Sequence, residues 1–263
     1  MNISPVLSFK SDYGYKPNFT SCTKIYNPQK ITNLDIFCKD KIMTTSNLFR
    51  YDQDWNRLMK YIFWNFVNEK KISICSFACS DGSEPLSYAL YLHNKMPKSF
   101  YSKYIPIIAS DIDPEMIKIA KSGKINLSKY DFENMDKYIK NANLYFTPKG
   151  EPIKISNNIY EHEKSYAIDP DIMEMMTFKK SDMLTEVKQL KEDENYIVNI
   201  RNVFPYLKQN YRDEVLKTLS QKLKSGNIFV YGHYDYLVPN FKQKLFDLGF
   251  FAPYPDANFV QKL

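Results

Sequence analysis

Glycine is scarce in this chain, seven in 263 residues, and neither G-x-G-x-x-G nor G-x-x-x-x-G-K-[ST] occurs. That excludes the two glycine-rich cradles that hold a dinucleotide pyrophosphate or a nucleoside triphosphate. Cysteine is limited to Cys22, Cys38, Cys75 and Cys79, with no C-x-x-C and no Cys/His cluster. No metal site is therefore expected, and the thiols are expected reduced, as in the cytoplasm. The three histidines, His93, His162 and His233, suggest no catalytic pairing. No run of eighteen apolar residues exists, so no membrane span is expected. Met1 to Lys10 lack a basic region followed by a long apolar stretch, so no signal peptide is expected.

What is present is globular in character, with 44% hydrophobic and 25% charged residues. A chain of this length can bury one good core, or one core and a small appendage. The 21 Tyr and 18 Phe accompany abundant Lys, Asn and Ile, a codon bias rather than an aromatic function. The net charge of +6 is unevenly spread: residues 118–154 hold eight Lys against Asp131, Glu133, Asp136 and Glu151. Such a patch suits an acidic protein surface or a nucleic acid, and charge alone does not choose between them.

The first 43 residues, interrupted by Pro5, Gly14, Pro17 and Pro28, read as an irregular arm with one short helix near 34–38. Over 51–69, Trp55, Leu58, Met59, Ile62, Phe63, Phe66 and Val67 share one helical face. Strands follow at 72–77 and 105–110, each before a helix, at about 85–95 and at 114–122, the latter opened by Pro114. Residues 124–175 break this rhythm. A helix over 132–139, a turn signal at Pro148-Lys149-Gly150 and the alternation Ile153-Lys154-Ile155 predict an inserted helix and small hairpin. Strands at 176–178, 196–200, 227–231 and 258–263 then alternate with helices at 207–224, capped by Gly226, and at 241–248. Strand–helix alternation predicts a mostly parallel sheet covered on both faces.

The most informative stretch is Phe77-Ala78-Cys79-Ser80-Asp81-Gly82-Ser83-Glu84-Pro85, a tight turn between strand and helix. The next strand ends in Ser110-Asp111-Ile112-Asp113. A small-residue turn after one strand and an acid closing the next suit a nucleoside: backbone approaches the ligand, and the carboxylate accepts from ribose hydroxyls. Without a phosphate cradle, the ligand expected carries adenosine and no phosphate. The rival structural readings are that Asp111 caps the following helix and that Glu84 is a first-turn acid favoured by the helix dipole.

Four segments together resemble the CheR-type methyltransferases, S-adenosylmethionine-dependent enzymes that methylate glutamates of chemotaxis receptors. They are Thr44-Thr45-Ser46-Asn47-Leu48-Phe49-Arg50, Ala78 through Ser87, Ala109-Ser110-Asp111-Ile112-Asp113, and Arg201-Asn202-Val203-Phe204-Pro205-Tyr206 with Gly232-His233-Tyr234-Asp235. These look like the family's T-x-F-F-R, C-S-T-G-E-E-P-Y-S, A-T-D-I-D and R-N-V-x-I-Y…G-H-S-E, in order. The resemblance implies a class I, Rossmann-like α/β fold, a seven-stranded sheet with the last strand antiparallel and a small subdomain inserted at about 124–175 of a domain spanning 44–263. It implies S-adenosyl-L-methionine as cofactor, with S-adenosyl-L-homocysteine as product. It further implies cofactor contacts from Thr44, Ser46, Arg50, Ala78, Gly82, Glu84, Asp111, Ile112, Asp182, Met183, Ile200 and Arg201. Asp111 would hold the ribose, Asp182 and Met183 the adenine, and Arg50, Arg201 and Tyr206 the reacting end.

Methyl transfer from a sulfonium is an in-line displacement, so the protein contributes mainly alignment and electrostatics. A carboxylate acceptor is already ionised and needs no base, only a cation or hydroxyl to hold it. Departures from the family pattern are Ser83 for its first Glu, Leu86 for its Tyr, Leu48 after Asn47, and Pro205 before Tyr206. The family's basic N-terminal helical domain, which reads the receptor, is not matched by the first 43 residues. The partner expected is a protein, a chemoreceptor or another carboxylate-bearing one, acted on by a monomer. An RNA or small-molecule acceptor, or a non-catalytic cofactor binder, are the competing readings.

Overall fold

The computed structural model of the protein describes residues 46–150 and 164–263. The arm over 1–43, Thr44, His162 and the alternation at 153–155 lie outside them.

The described chain opens with α1 (Trp55–Asn65). Asp54 caps it, its carboxylate accepting from the Arg57 N–H at 3.0 Å. Trp55, Leu58, Met59 and Ile62 form the buried face as the spacing predicts, each worth about 1.5–3 kcal/mol. The helix stops at Asn65, short of the expected end, and leaves Val67 52% exposed. β1 (Ser73–Phe77) leads to α2 (Ser83–Lys95) and the short α3 (Lys98–Tyr101); β2 (Ile107–Asp111) leads to α4 (Pro114–Lys121), with Pro114 at its first turn under an Asp113 cap.

The stretch where the alternation falters holds β3 (Lys124–Leu127), α5 (Lys129–Met135), β4 (Phe146–Gly150), β5 (Lys164–Ile168) and α6 (Pro170–Met173). Here β3, β5 and β4 make their own three-stranded antiparallel sheet. The turn signal at Pro148-Lys149-Gly150 is instead strand, with a register shift between Pro148 and Gly150. A proline that cannot donate to the ladder is tolerated there because β4 is an edge strand. The helix expected at 132–139 begins earlier, at a Ser128/Asp131 capping box, and ends at Met135.

The remaining elements are β6 (Met176–Lys180), α7 (Met183–Gln189), β7 (Tyr196–Asn199), α8 (Gln209–Lys222), β8 (Ile228–Val230), α9 (Phe241–Asp247), β9 (Phe250–Phe251) and β10 (Phe259–Lys262). On α8 the expected face, Tyr211, Val215, Leu216 and Leu219, is buried. Gly226 does not cap this helix, which closes at Leu223; Gly226 sits at φ +90° in the following turn and donates to the Lys262 carbonyl.

The main sheet runs β6-β2-β1-β7-β8-β10-β9. β6, β2, β1, β7 and β8 are mutually parallel, and β10 lies antiparallel to both β8 and β9. The chain steps outward from β1 through β2 to β6, then returns to the other side of β1 with β7. The crevice beyond the carboxyl ends of β1 and β7 is thus a topological switch point, where open α/β sheets bind ligands. Among the described residues no helix is long and apolar enough to cross a membrane.

Candidate cofactor and active site

Four loops meet at that crevice. The first follows β1. Ala78 (φ +58°), Ser80 (φ +52°) and Gly82 (φ +87°) are left-handed, so the backbone doubles back sharply before α2. A Cβ on Gly82 would come within 3.0 Å of the Phe178 ring and 3.1 Å of the Ala120 Cβ, which explains a glycine here in a chain that has few. Ser83, the departure from the family Glu, donates its N–H and hydroxyl to Asp81 Oδ1 at 3.0 and 2.7 Å. It thereby ties the turn to α2. Enclosure pushes the Asp81 carboxyl above its usual pKa.

The second loop follows β2. Asp111 Oδ2 accepts the Ser80 N–H at 2.7 Å and Oδ1 accepts the Asp113 N–H at 2.9 Å. Asp111 therefore holds the two loops together rather than capping α4, a task that falls to Asp113. Burial pushes the Asp111 carboxyl up, against the N–H groups that pull it down. A carboxylate has about four acceptor positions, so these two bonds leave room for further donors. Ser110 Oγ and Asp113 Oδ2 are also buried without protein partners. Ile112, beside them, is 40% exposed.

The third loop follows β7 and carries Arg201 and Tyr206. The Arg201 guanidinium lies between two carboxylates: Nη1 donates to Glu84 Oε1 at 3.0 Å and Nη2 to Asp52 Oδ1 at 2.7 Å. Glu84 stands in the first turn of α2, buried. Burial pulls the Arg201 pKa down, but Asp52 and Glu84 outweigh it and the net movement is upward. Arg201 Nε is buried without a protein partner. Tyr206, half-buried, ends a short 3-10 turn (Phe204–Tyr206) that accommodates Pro205 at its start.

The fourth loop follows β8 and was undervalued in sequence. Asp235, fully buried, accepts four backbone N–H groups: Gly232 at 2.7 Å, Asn202 at 2.8 Å, Val203 at 3.0 Å and Phe204 at 3.1 Å. Asn202 reciprocates, its Oδ1 accepting the Tyr234 N–H at 3.0 Å. A Cβ at Gly232 would lie 2.0 Å from that Oδ1, so the clasp requires glycine. His233 is exposed and contributes its backbone N–H to Asp52 at 2.9 Å. The loop motif is thus a brace for the Arg201–Tyr206 segment.

Burial pushes the Asp235 carboxyl up from 3.8 to about 7, outweighing its four N–H donors. Between those values the native state binds a proton that the unfolded chain does not. This group's contribution to stability therefore falls as pH rises from about 4 to 7, by roughly 1.4 kcal/mol per pH unit within the window. Urea midpoints measured from pH 4.5 to 8.5 should show that decline, and Asp235→Asn should flatten it.

The entry segment brings Arg50 and Asp52. Phe49 (φ +45°) is fully buried against Trp55 and Tyr138. Its N–H donates to Ser87 Oγ at 2.9 Å, and its carbonyl accepts from Asn134 Nδ2 at 2.6 Å. Leu48 and Phe49 thus serve as core anchors on α2 and α5, which sets where Arg50 emerges. Asp52 was missed in sequence; its only signal was proximity to Arg50. Ser46 is half-buried at the start of this segment.

Three of the expected contacts also have structural tasks. Asp182 caps α7, accepting from the Thr185 N–H at 3.2 Å and from the Tyr211 hydroxyl at 2.7 Å. Met183 packs into the core beneath α7 and α8. Ile200 is fully buried, so only its backbone is available to a ligand.

A crevice with spare acid acceptors at β2 and buried unpartnered polar atoms, in a chain without the glycine-rich phosphate motifs, suits a nucleoside that carries no phosphate. Such a crevice on a sheet of this order defines a Rossmann-like S-adenosylmethionine-dependent methyltransferase. The chain belongs to the CheR methyltransferase family, whose SAM-binding domain matches residues 44–248. A chemotaxis protein methyltransferase from Listeria monocytogenes is 24% identical over 202 residues, 76% of this chain and 68% of that protein. Another from Borreliella burgdorferi is 23% identical over 201 residues, 74% of this chain and 65% of that protein. Among solved structures, a TehB-like SAM-dependent methyltransferase from Corynebacterium glutamicum aligns over 80% of this chain and 93% of its own at 11% identity, with a TM-score of 0.39.

Proposed function

We infer that the methyl acceptor is a protein side-chain carboxylate, glutamate foremost, on a chemotaxis receptor or a similarly acidic protein. The observation that supports this reading is that two arginines, Arg201 and Arg50, both lie close to Asp52 at the crevice. Arg201 is buried and fixed by Glu84 and Asp52, and Arg50 lies close enough to draw the Asp52 pKa down. A carboxylate arrives ionised and needs no proton removed, only donors such as the Arg50 guanidinium and the Tyr206 hydroxyl to align it. An amine would arrive protonated and need a base. The names of the relatives, chemotaxis protein methyltransferases, support a protein acceptor.

In this reading the cofactor supplies a methyl group already activated on a sulfonium. Asp111 accepts from its ribose hydroxyls, and the left-handed turn at 78–82 lets it lie against backbone. Arg50 and the Tyr206 hydroxyl align the acceptor carboxylate, while Arg201 and the Asp235 clasp hold the loop that presents Tyr206.

The test is the chemistry of the product. With methyl-labelled S-adenosylmethionine and receptor-bearing membranes, mild alkali should release most protein-bound label as methanol, the mark of a methyl ester. Alkali-stable label in protein or RNA would overturn the acceptor assignment. With such an acceptor, Tyr206→Phe should leave the cofactor Kd within about twofold and lower turnover on the order of a hundredfold, as expected for a lost hydrogen-bond donor at a reacting centre.

A further inference from the structure

The guanidinium of Arg201 has one more carboxylate than its charge requires. Arg201, Asp52 and Glu84 have side chains only 1%, 8% and 9% exposed, so their charges are weakly screened. Asp52 cannot swing away: Oδ1 is bound by Arg201, Oδ2 by the His233 N–H at 2.9 Å, and its backbone carbonyl by the Asn258 side chain. Burial raises its pKa, but Arg201, Arg50 and the His233 N–H outweigh that and hold it below the usual carboxylate value. Asp52 is therefore ionised at neutral pH, and two carboxyl groups face one guanidinium.

We propose that Asp52 is a specificity-determining countercharge that favours the cationic sulfonium cofactor over its neutral thioether product. A sulfonium holds a fixed positive charge and carries no N–H or O–H donor, so a nearby carboxylate stabilises it chiefly through opposing charge. The same crevice also holds Arg50, whose charge, like that of Arg201, would by itself repel a sulfonium. Asp52 and Glu84 together cancel both arginines. Without Asp52 a surplus positive charge would remain, felt by S-adenosylmethionine and not by S-adenosylhomocysteine. At the effective dielectric of about 20 suited to such sites, one unit charge several ångströms away changes an affinity on the order of tenfold or more. The inference rests on the family's cofactor and is independent of the acceptor proposed above.

The experiment is calorimetric titration of the wild-type protein, Asp52→Asn and Asp52→Glu with S-adenosylmethionine, S-adenosylhomocysteine and sinefungin, whose amine carries a positive charge where the sulfonium stands. In Asp52→Asn the affinity for the two cationic ligands should fall about tenfold relative to S-adenosylhomocysteine, and Asp52→Glu should restore the ratio. Equal loss for all three ligands would make Asp52 a structural pin of Arg201 and overturn the proposal. If Asp52→Asn does not fold, Glu84→Gln removes the other countercharge from the same guanidinium and must shift the ratio the same way; an unchanged ratio there overturns the proposal too. Failure of the wild type to bind any of the three would instead overturn the cofactor-site assignment.

Discussion

Asp111→Ala should raise the Kd for S-adenosylmethionine at least about a hundredfold in calorimetric titration while leaving a folded protein. Two effects combine. The variant loses the acceptors proposed for the ribose hydroxyls, and hydrogen bonds to a charged group contribute about 1.5–3 kcal/mol each. It also frees the Ser80 and Asp113 N–H groups, which Asp111 now holds at 2.7 and 2.9 Å. The turn after β1 has left-handed residues at Ala78 and Ser80. Such backbone persists only while its surroundings determine it, so releasing Ser80 should loosen the surface against which the cofactor lies. Asp111→Asn separates the two effects: its amide oxygen can retain one backbone donor, so it should preserve more of the turn than of the affinity. Normal binding by Asp111→Ala would show that the cofactor lies elsewhere.

Arg201→Ala should destabilise the protein by about 3–5 kcal/mol, read as a drop in urea-unfolding free energy at pH 7. The cost is not the loss of attraction alone. Removing the guanidinium leaves Asp52 and Glu84 buried, both acidic and without their shared cation. Two carboxylates in that position repel each other, and one is pushed to take up a proton. Arg201→Lys should recover only part of the loss, because an ammonium is a point charge that cannot present two separated nitrogens to two acids. Adding Asp52→Asn and Glu84→Gln to Arg201→Ala should recover stability, since the uncompensated charges are gone. A fall below about 1 kcal/mol in the single variant would mean that the triad is open to water.

Local signals carried the architecture far. The periodicity of Trp55, Leu58, Met59 and Ile62, and of Tyr211, Val215, Leu216 and Leu219, located two helices because burial of one face follows the 3.6-residue repeat. The same rule overran at Val67, where the chain had already turned away. Pro148 and Gly150 looked like a turn because their local preference is for one; pairing with β5 made them an edge strand instead. β9 is two residues long and lies below any sequence signal.

By itself, the sequence determined the strand–turn–helix at Phe77 to Glu84, the acid at the end of β2 and the order of the family segments, and its lack of glycine-rich cradles disfavoured two classes of ligand. These are local matters of backbone preference and motif. Tertiary structure alone decided how the charged groups of the site pair with one another. Arg201 meets Glu84 across 117 residues and Asp52 across 149. Asp235 reaches back 33 residues to the Asn202 N–H, which makes the acid of the last family segment the brace of the loop after β7. A side chain's charge can be read from its letter. Its partner depends on strand order, which brings β1, β7 and β8 side by side and lets their loops converge on one crevice.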